Sequence, residues 1–207
     1  MSDFAFLERG KAHLCKNDKI LNSIISKIEP LNIIKKQNHF DGLLDAIISQ
    51  QLSVKAANAI SSKFFAIFNG APTPENILNT PDITIREAGI SNGKIKYIKD
   101  LSMKISSGAL DVDSLDNLPD EEVVSALTTV KGIGEWTAHM FLIFDLNRPD
   151  VLAHGDLGIK KAVFLNYKLN DLPTPNELFN ISEENNWAPY RSLACRYLWR
   201  SLDLPQN

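Results

Sequence analysis

A carboxylate with a defined address gives the first chemical handle. Asp156 follows Gly155 and opens a run in which Leu157, Ile159, Ala162, Val163 and Leu165 recur at helical spacing. It is therefore a candidate N-cap, its side chain accepting amide N–H groups of the first turn. Such a carboxylate serves as a cap, and it can equally offer a fixed negative charge to a cationic intermediate; the two roles are compatible. Upstream lies a glycine hairpin, Lys131-Gly132-Ile133-Gly134, followed by an amphipathic run from Glu135 to Leu146. Glycines flanking one apolar residue can take positive φ and present no Cβ, so backbone N–H groups there can approach an anion such as a phosphate. The same spacing also serves as an ordinary tight turn. Trp136, two residues beyond the hairpin, is either core or the wall of a pocket.

Helices must position these groups. A 3.6-residue periodicity broken at Gly, Pro and Asn predicts helices near 4–15, 17–28, 40–50, 53–69, 74–79, 82–88, 92–107, 120–128, 135–145, 156–167, 174–181 and 187–202. No set of alternating strands stands out, and the expected fold class is all-α. Pro72-Thr73-Pro74 and Leu172-Pro173-Thr174-Pro175 read as inter-helix turns, with Thr as N-cap and Pro at the first helical position. The polar stretch Ser49-Gln50-Gln51-Leu52-Ser53 joins two strongly periodic helices, with Ser53 as the candidate cap of the second.

Composition sets the outer bounds. At 207 residues and 44% hydrophobic, the chain suffices for one domain or two small packed lobes. No apolar run is long enough to span a bilayer, and the amino terminus carries charge from Asp3 onward without the apolar centre of a signal peptide. Residence in a reducing cytoplasm, at the bacterial nucleoid, is expected. Cys15 and Cys195 are too few for a structural zinc or a four-cysteine iron–sulfur cluster, and no His/Cys/Asp spacing suggests a catalytic metal. A net charge of −3 is mildly unfavourable for a polyanionic partner. Local clusters offset it: Lys94, Lys96, Lys99 and Lys104 form one, Lys131, Lys160 and Lys161 bracket the central stretch, and Arg191, Arg196 and Arg200 recur near the end. The acidic run from Asp111 to Glu122 is expected to face away from any such partner.

Four ordered segments carry a resemblance. Gly132-Ile133-Gly134-Glu135-Trp136-Thr137-Ala138 with Asp156-Leu157-Gly158-Ile159-Lys160 downstream, Ala46 to Ser53, Gly89-Ile90-Ser91-Asn92-Gly93-Lys94, and Trp187-Ala188-Pro189-Tyr190-Arg191-Ser192 together resemble the helix-hairpin-helix-GPD superfamily of DNA glycosylases, in its alkylpurine branch. The resemblance implies a two-lobed helical fold with a central DNA-binding cleft, in compact form without the β-rich N-terminal domain of some members. The expected division is a helical lobe of about 30–118 and a hairpin and catalytic lobe of about 1–29 plus 119–207. It implies a monomeric monofunctional enzyme that flips alkylated purines, 3-methyladenine and 7-methylguanine, out of double-stranded DNA and hydrolyses their N-glycosidic bond, initiating base-excision repair.

Carried over residue by residue, the resemblance makes Asp156 catalytic. Trp136, Met140 and Trp199 become the base pocket, Met140 standing where a close relative has Tyr. Gln51 becomes the plug that fills the gap left by the extruded nucleotide, with Leu52 assisting or simply packing. Ser53, Gly132, Gly134 and Thr137 become DNA-binding residues. Members that cleave the strand through a Schiff base carry their lysine where this chain has Trp136, so lyase chemistry is not expected. No cofactor is implied beyond a monovalent cation on hairpin carbonyls when DNA is bound. Two other readings stand beside this one: a catalytically silent protein that binds DNA lesions, and a glycosylase for oxidised or deaminated bases. His139 and His154 flank the site, and the bland role of a packed or solvated histidine is preferred for both.

Overall fold

The structure, a computed structural model, describes residues 3–31, 33 and 38–205. Among them the regular elements are all helical: α1 (Asp3–Asn17), α2 (Lys19–Ile25), α3 (His39–Ser49), α4 (Val54–Ile67), α5 (Pro74–Asn79), α6 (Asp82–Glu87), α7 (Asn92–Ser106), α8 (Asp120–Thr128), α9 (Glu135–Phe144), α10 (Leu157–Asn166), α11 (Pro175–Glu184) and α12 (Arg191–Ser201). A short 3-10 turn at Leu115–Asn117, which the periodicity did not announce, precedes α8.

The boundaries follow the caps. Asp18 Oδ1 accepts the N–H groups of Ile20 and Leu21, so α2 begins at Lys19, whereas the sequence suggested 17. Thr73 and Thr174 cap α5 and α11 with Pro at the head of each helix, and Thr174 with Glu177 completes a capping box. The last helix departs from expectation at its start, beginning at Arg191 instead of 187. The cause is Pro189, whose ring excludes the preceding residue from the helical region. Trp187 to Tyr190 therefore form a turn ahead of the helix.

The chain divides into two compact units, residues 1–35 with 147–207, and residues 36–146. The hairpin segment 119–146 clusters with the central unit, whereas the sequence reading grouped it with the termini. The physical reason is α9, whose buried Ala138, Phe141 and Leu142 pack toward α3 and α8 of that unit.

In the central unit, α3 is the pivot. Leu43, Leu44, Ile47 and Ile48 are fully buried, an i, i+1, i+4, i+5 stripe that meets α4, α7 and α9. In the terminal unit, Leu14, Leu21, Trp187, Ala194 and Leu198 are buried together with a carboxylate, Asp18. Asp18 Oδ2 accepts the indole N–H of Trp187 at 2.8 Å and the hydroxyl of Tyr167. A buried charge is tolerable only when so bonded; burial, and then the Asp18 charge, push the Tyr167 hydroxyl far above the ordinary tyrosine range. Trp187 is thus an anchor through a polar handle as well as its apolar body.

Candidate functional site

The terminal unit carries the carboxylate. Asp156 caps α10, its Oδ1 accepting the N–H of Ile159 at 2.8 Å. The same oxygen accepts the indole N–H of Trp199 at 2.8 Å, and the residue is 9% exposed. Two donors converging on one oxygen leave the side chain a single orientation. Gly158 makes this approach possible, since a Cβ there would lie 2.9 Å from Asp156 Oδ1 and 3.1 Å from the Trp199 ring.

The loop leading to Asp156 is laid along α12. Arg191 donates from its guanidinium to Asp150 Oδ2 at 2.8 Å and also pairs with Glu183. Ser192 N–H donates to the Pro149 carbonyl at 3.1 Å, and Ser192 Oγ accepts the N–H of Val151 at 2.9 Å. Arg196 donates to Asn147 Oδ1 at 3.0 Å. Contacts recurring along one helix from Arg191 to Trp199 fix the whole loop against a rigid element. The sequence reading placed Ser192 in a motif and Arg196 in a basic cluster but gave neither this bracing role, because their partners lie more than forty residues away. Cys195, buried beneath the same loop, is a poor nucleophile: burial pushes its thiol up to about 12.

The central unit carries the hairpin and the α3–α4 loop. Between α8 and α9 the chain turns at Val130 to Gly134, with the N–H of Ile133 donating to the Val130 carbonyl at 3.1 Å. Gly132 has φ +80, and a Cβ there would lie 2.2 Å from the Tyr97 ring. Gly134 differs from it. Its φ is −96, it caps α9 without a side chain, and nothing lies within 4 Å of where a Cβ would be. The backbone at the start of α9 is therefore not covered on the side where a Cβ would stand, and a helix start of this kind can receive an anion.

The α3–α4 loop projects Gln51, Leu52 and Ser53, all exposed, with Leu52 at 39% and the neighbouring Val54 at 78%. Gln51 adopts φ +57, a left-handed conformation unusual for a side-chain-bearing residue. Ser53 caps α4 by accepting the N–H of Ala56. Gln50, passed over in the sequence reading, donates to the Gly132 carbonyl at 2.8 Å. Thr137, which the resemblance made a DNA-binding residue, is buried, with its hydroxyl 3.5 Å from the Gln50 amide.

Of the residues expected at a base pocket, Trp199 is engaged with Asp156 as described, and Trp136 is 44% exposed on α9. Met140 lines a cavity of about 400 Å³ with Phe144, Asp45, Ser49 and Ser61. Asp45 Oδ1 accepts the Ser61 hydroxyl at the wall of that cavity. An aromatic ring, a polarisable sulfur and a carboxylate together suit a flat cationic guest.

Comparison with known proteins gives a family and several relatives. The profile described as HhH-GPD superfamily base excision DNA repair protein matches residues 44–187. The chain is 34% identical over 204 residues to DNA-3-methyladenine glycosylase 1 of Schizosaccharomyces pombe, spanning 96% of this chain and 89% of that protein. A solved structure of the 3-methyladenine DNA glycosylase of the same yeast in complex with abasic DNA gives a TM-score of 0.85 at 35% identity, over 96% of this chain and 98% of that one. The DNA-3-methyladenine glycosidase of Bacillus halodurans gives 0.78 at 35% identity, over 91% of this chain and 86% of that one.

Proposed function

Because the chain belongs to the HhH-GPD superfamily of base excision DNA repair proteins, we propose that it is a monofunctional DNA-3-methyladenine glycosylase, hydrolysing the N-glycosidic bond of alkylated purines in double-stranded DNA. The observation that carries the reading is Asp156, a nearly buried carboxylate held in one orientation by the Ile159 amide and the Trp199 indole.

The chemistry needs little else. Alkylation at N3 or N7 places positive charge on the purine, so the base departs with the glycosidic electron pair as a neutral molecule and needs no prior protonation. The sugar is left with oxocarbenium character, and the fixed Asp156 charge stabilises it. Water adds at C1′ and loses a proton, for which Asp156 is the placed acceptor. The product is an abasic site. Met140 and its cavity, with the Asp45 carboxylate in the wall, are the candidate receptor for the cationic base. The hairpin amides and the start of α9 hold a backbone phosphate, and Gln51 fills the space vacated in the duplex.

Trp136 offers no amine at the position where lyase members carry their nucleophile, so no Schiff base forms and the strand is left intact. The reaction as proposed needs no cofactor beyond a monovalent cation on the hairpin carbonyls when DNA is bound, and excision is expected to proceed unchanged in excess chelator of divalent metals. The test is chromatography of bases released from methylated duplex DNA. Release of 3-methyladenine and 7-methylguanine by the wild type is expected. So are strong loss in Asp156→Asn, no strand scission before alkali and no adduct trapped by borohydride. Tight binding to an abasic duplex without base release would replace this reading with that of a silent lesion binder.

A further inference from the structure

One helix of the central unit touches both parts that the proposed function assigns to DNA. Lys94, in the first turn of α7, donates from Nζ to the carbonyls of Ile48 and Gln50, each at 2.7 Å. These carbonyls belong to the C-terminal end of α3 and the residue after it, where helical carbonyls lack intrahelical partners and the dipole favours a cation. Three residues on, Tyr97 packs its ring against Gly132 so closely that no Cβ fits between them. Three further on, Asp100 Oδ2 accepts the N–H of Lys131 at 2.9 Å. Residues at this spacing share one helix face. The α3–α4 loop and the hairpin are therefore clamped to the same rigid rod, and Gln50 closes the circuit by bonding the Gly132 carbonyl at 2.8 Å.

The loop requires such a clamp. Gln51 sits at φ +57 next to the carbonyl that Lys94 binds, and a non-glycine residue is strained in that conformation, which persists only where its surroundings impose it. An exposed tip with Leu52 39% and Val54 78% exposed would otherwise have many conformations available.

We propose that Lys94 is a positioning residue for DNA insertion: by binding the carbonyls of Ile48 and Gln50 it holds Gln51 in its left-handed conformation, while Tyr97 and Asp100 on the same face of α7 keep the hairpin in register with that tip. The proposal rests on the glycosylase reading. It differs from a direct phosphate contact by Lys94 in a measurable way, because a phosphate contact strengthens binding to any duplex, whereas a positioned plug strengthens binding only where a nucleotide is missing.

The experiment measures affinity by fluorescence anisotropy for two duplexes of one sequence, intact or with a tetrahydrofuran abasic analogue, across a range of salt. Wild type, Lys94→Met, Lys94→Arg and Gln50→Leu are compared. Lys94→Met keeps the aliphatic stem and removes the donors. It is expected to lose about tenfold in affinity for the abasic duplex, the equivalent of roughly 1.4 kcal/mol. For the intact duplex it should change less than about twofold and keep its salt slope. Lys94→Arg, with donors restored, should recover most of the preference. Gln50→Leu, which removes the other tie, should show the same selective loss and reads the proposal independently should Lys94→Met fail to fold. Equal loss for both duplexes, with the salt slope reduced by about one charge, would mean that Lys94 contacts phosphate and the proposal fails. Undiminished preference for the abasic duplex in Lys94→Met would also overturn it. A wild type with no preference between the duplexes would instead remove the glycosylase reading on which the proposal rests.

Discussion

At the scale of single residues, the site is a set of side chains restrained by short bonds. Asp156 and Ser53 were legible in the sequence because a cap bonds its own next turn, and that signal is local. Lys94 and Gln50 were not, since their partners lie 44 and 82 residues away and nothing in a linear reading couples them. The bond from Trp199 to Asp156 yields a prediction. Trp199→Phe keeps a ring and removes the N–H, so Asp156 loses the indole bond and keeps that of the Ile159 amide. A hydrogen bond to a charged group contributes about 1.5–3 kcal/mol, and misorientation of a catalytic group lowers the rate further. Excision of methylated purines should fall at least about tenfold with substrate affinity nearly unchanged, as single-turnover kinetics would report; an unaltered rate would mean that the carboxylate is oriented without the Trp199 bond. The cavity beside Met140 yields another. Asp45→Asn removes a charge from its wall, so release of cationic 7-methylguanine should decline while release of neutral hypoxanthine, however slow, should not. Competition between the two bases in one oligonucleotide pool reads that ratio directly.

At the scale of elements, most helices were legible because their periodicity and caps agree, and the hairpin was legible because only glycine fits part of it. The failures have physical causes. The last helix starts later than its pattern because Pro189 excludes Ala188 from helical geometry, and the turn at Leu115–Asn117 is too short for any period to show. The two hairpin glycines, alike in sequence, are predicted to respond differently. Gly132→Ala forces a Cβ into the Tyr97 ring at positive φ and should cost at least about 1–2 kcal/mol of stability, seen in denaturant unfolding. Gly134→Ala meets nothing in the folded protein and should leave stability within about 0.5 kcal/mol, while weakening DNA binding if a phosphate comes close to that backbone. Asp100 makes the hairpin's tether dependent on pH. Burial alone would raise its carboxyl; the Lys131 amide and the ammonium groups of Lys104 and Lys131 outweigh it and hold the carboxyl below the usual range. A folded value below the unfolded one means that this stabilisation is fully present above about pH 4 and is lost as pH falls through the folded value. Asp100→Asn should therefore be less stable at pH 7 by about 1–2 kcal/mol, with a flatter decline as pH falls below about 4.

At the scale of the whole molecule, charge is distributed against simple expectation. Residues 1–35 and 147–207 carry 13 basic and 11 acidic side chains, whereas residues 36–146, which hold the hairpin and the α3–α4 loop, carry 9 basic and 14 acidic. An acidic unit with the phosphate contact proposed above is physically consistent only if that contact is made largely by backbone amides and a helix N-terminus, which are dipoles and bring no formal charge. Net charge in the sequence could not reveal this, because amides do not enter the count. Few counterions are then displaced when duplex DNA binds. The slope of log affinity against log salt is accordingly expected near −2 to −3, corresponding to about two or three neutralised phosphates, measured by anisotropy on intact duplex between about 50 and 200 mM salt. A slope near zero would remove phosphate contact from the mechanism. A slope steeper than about −6 would require an extended basic face, and the charges of the central unit could not supply it. On the proposed function, weak general attraction leaves discrimination between damaged and intact DNA to the groups proposed to act after encounter: the α3–α4 loop, the cavity and the fixed carboxylate. Raising salt should therefore lower affinity for intact and abasic duplexes by the same factor and leave their ratio unchanged.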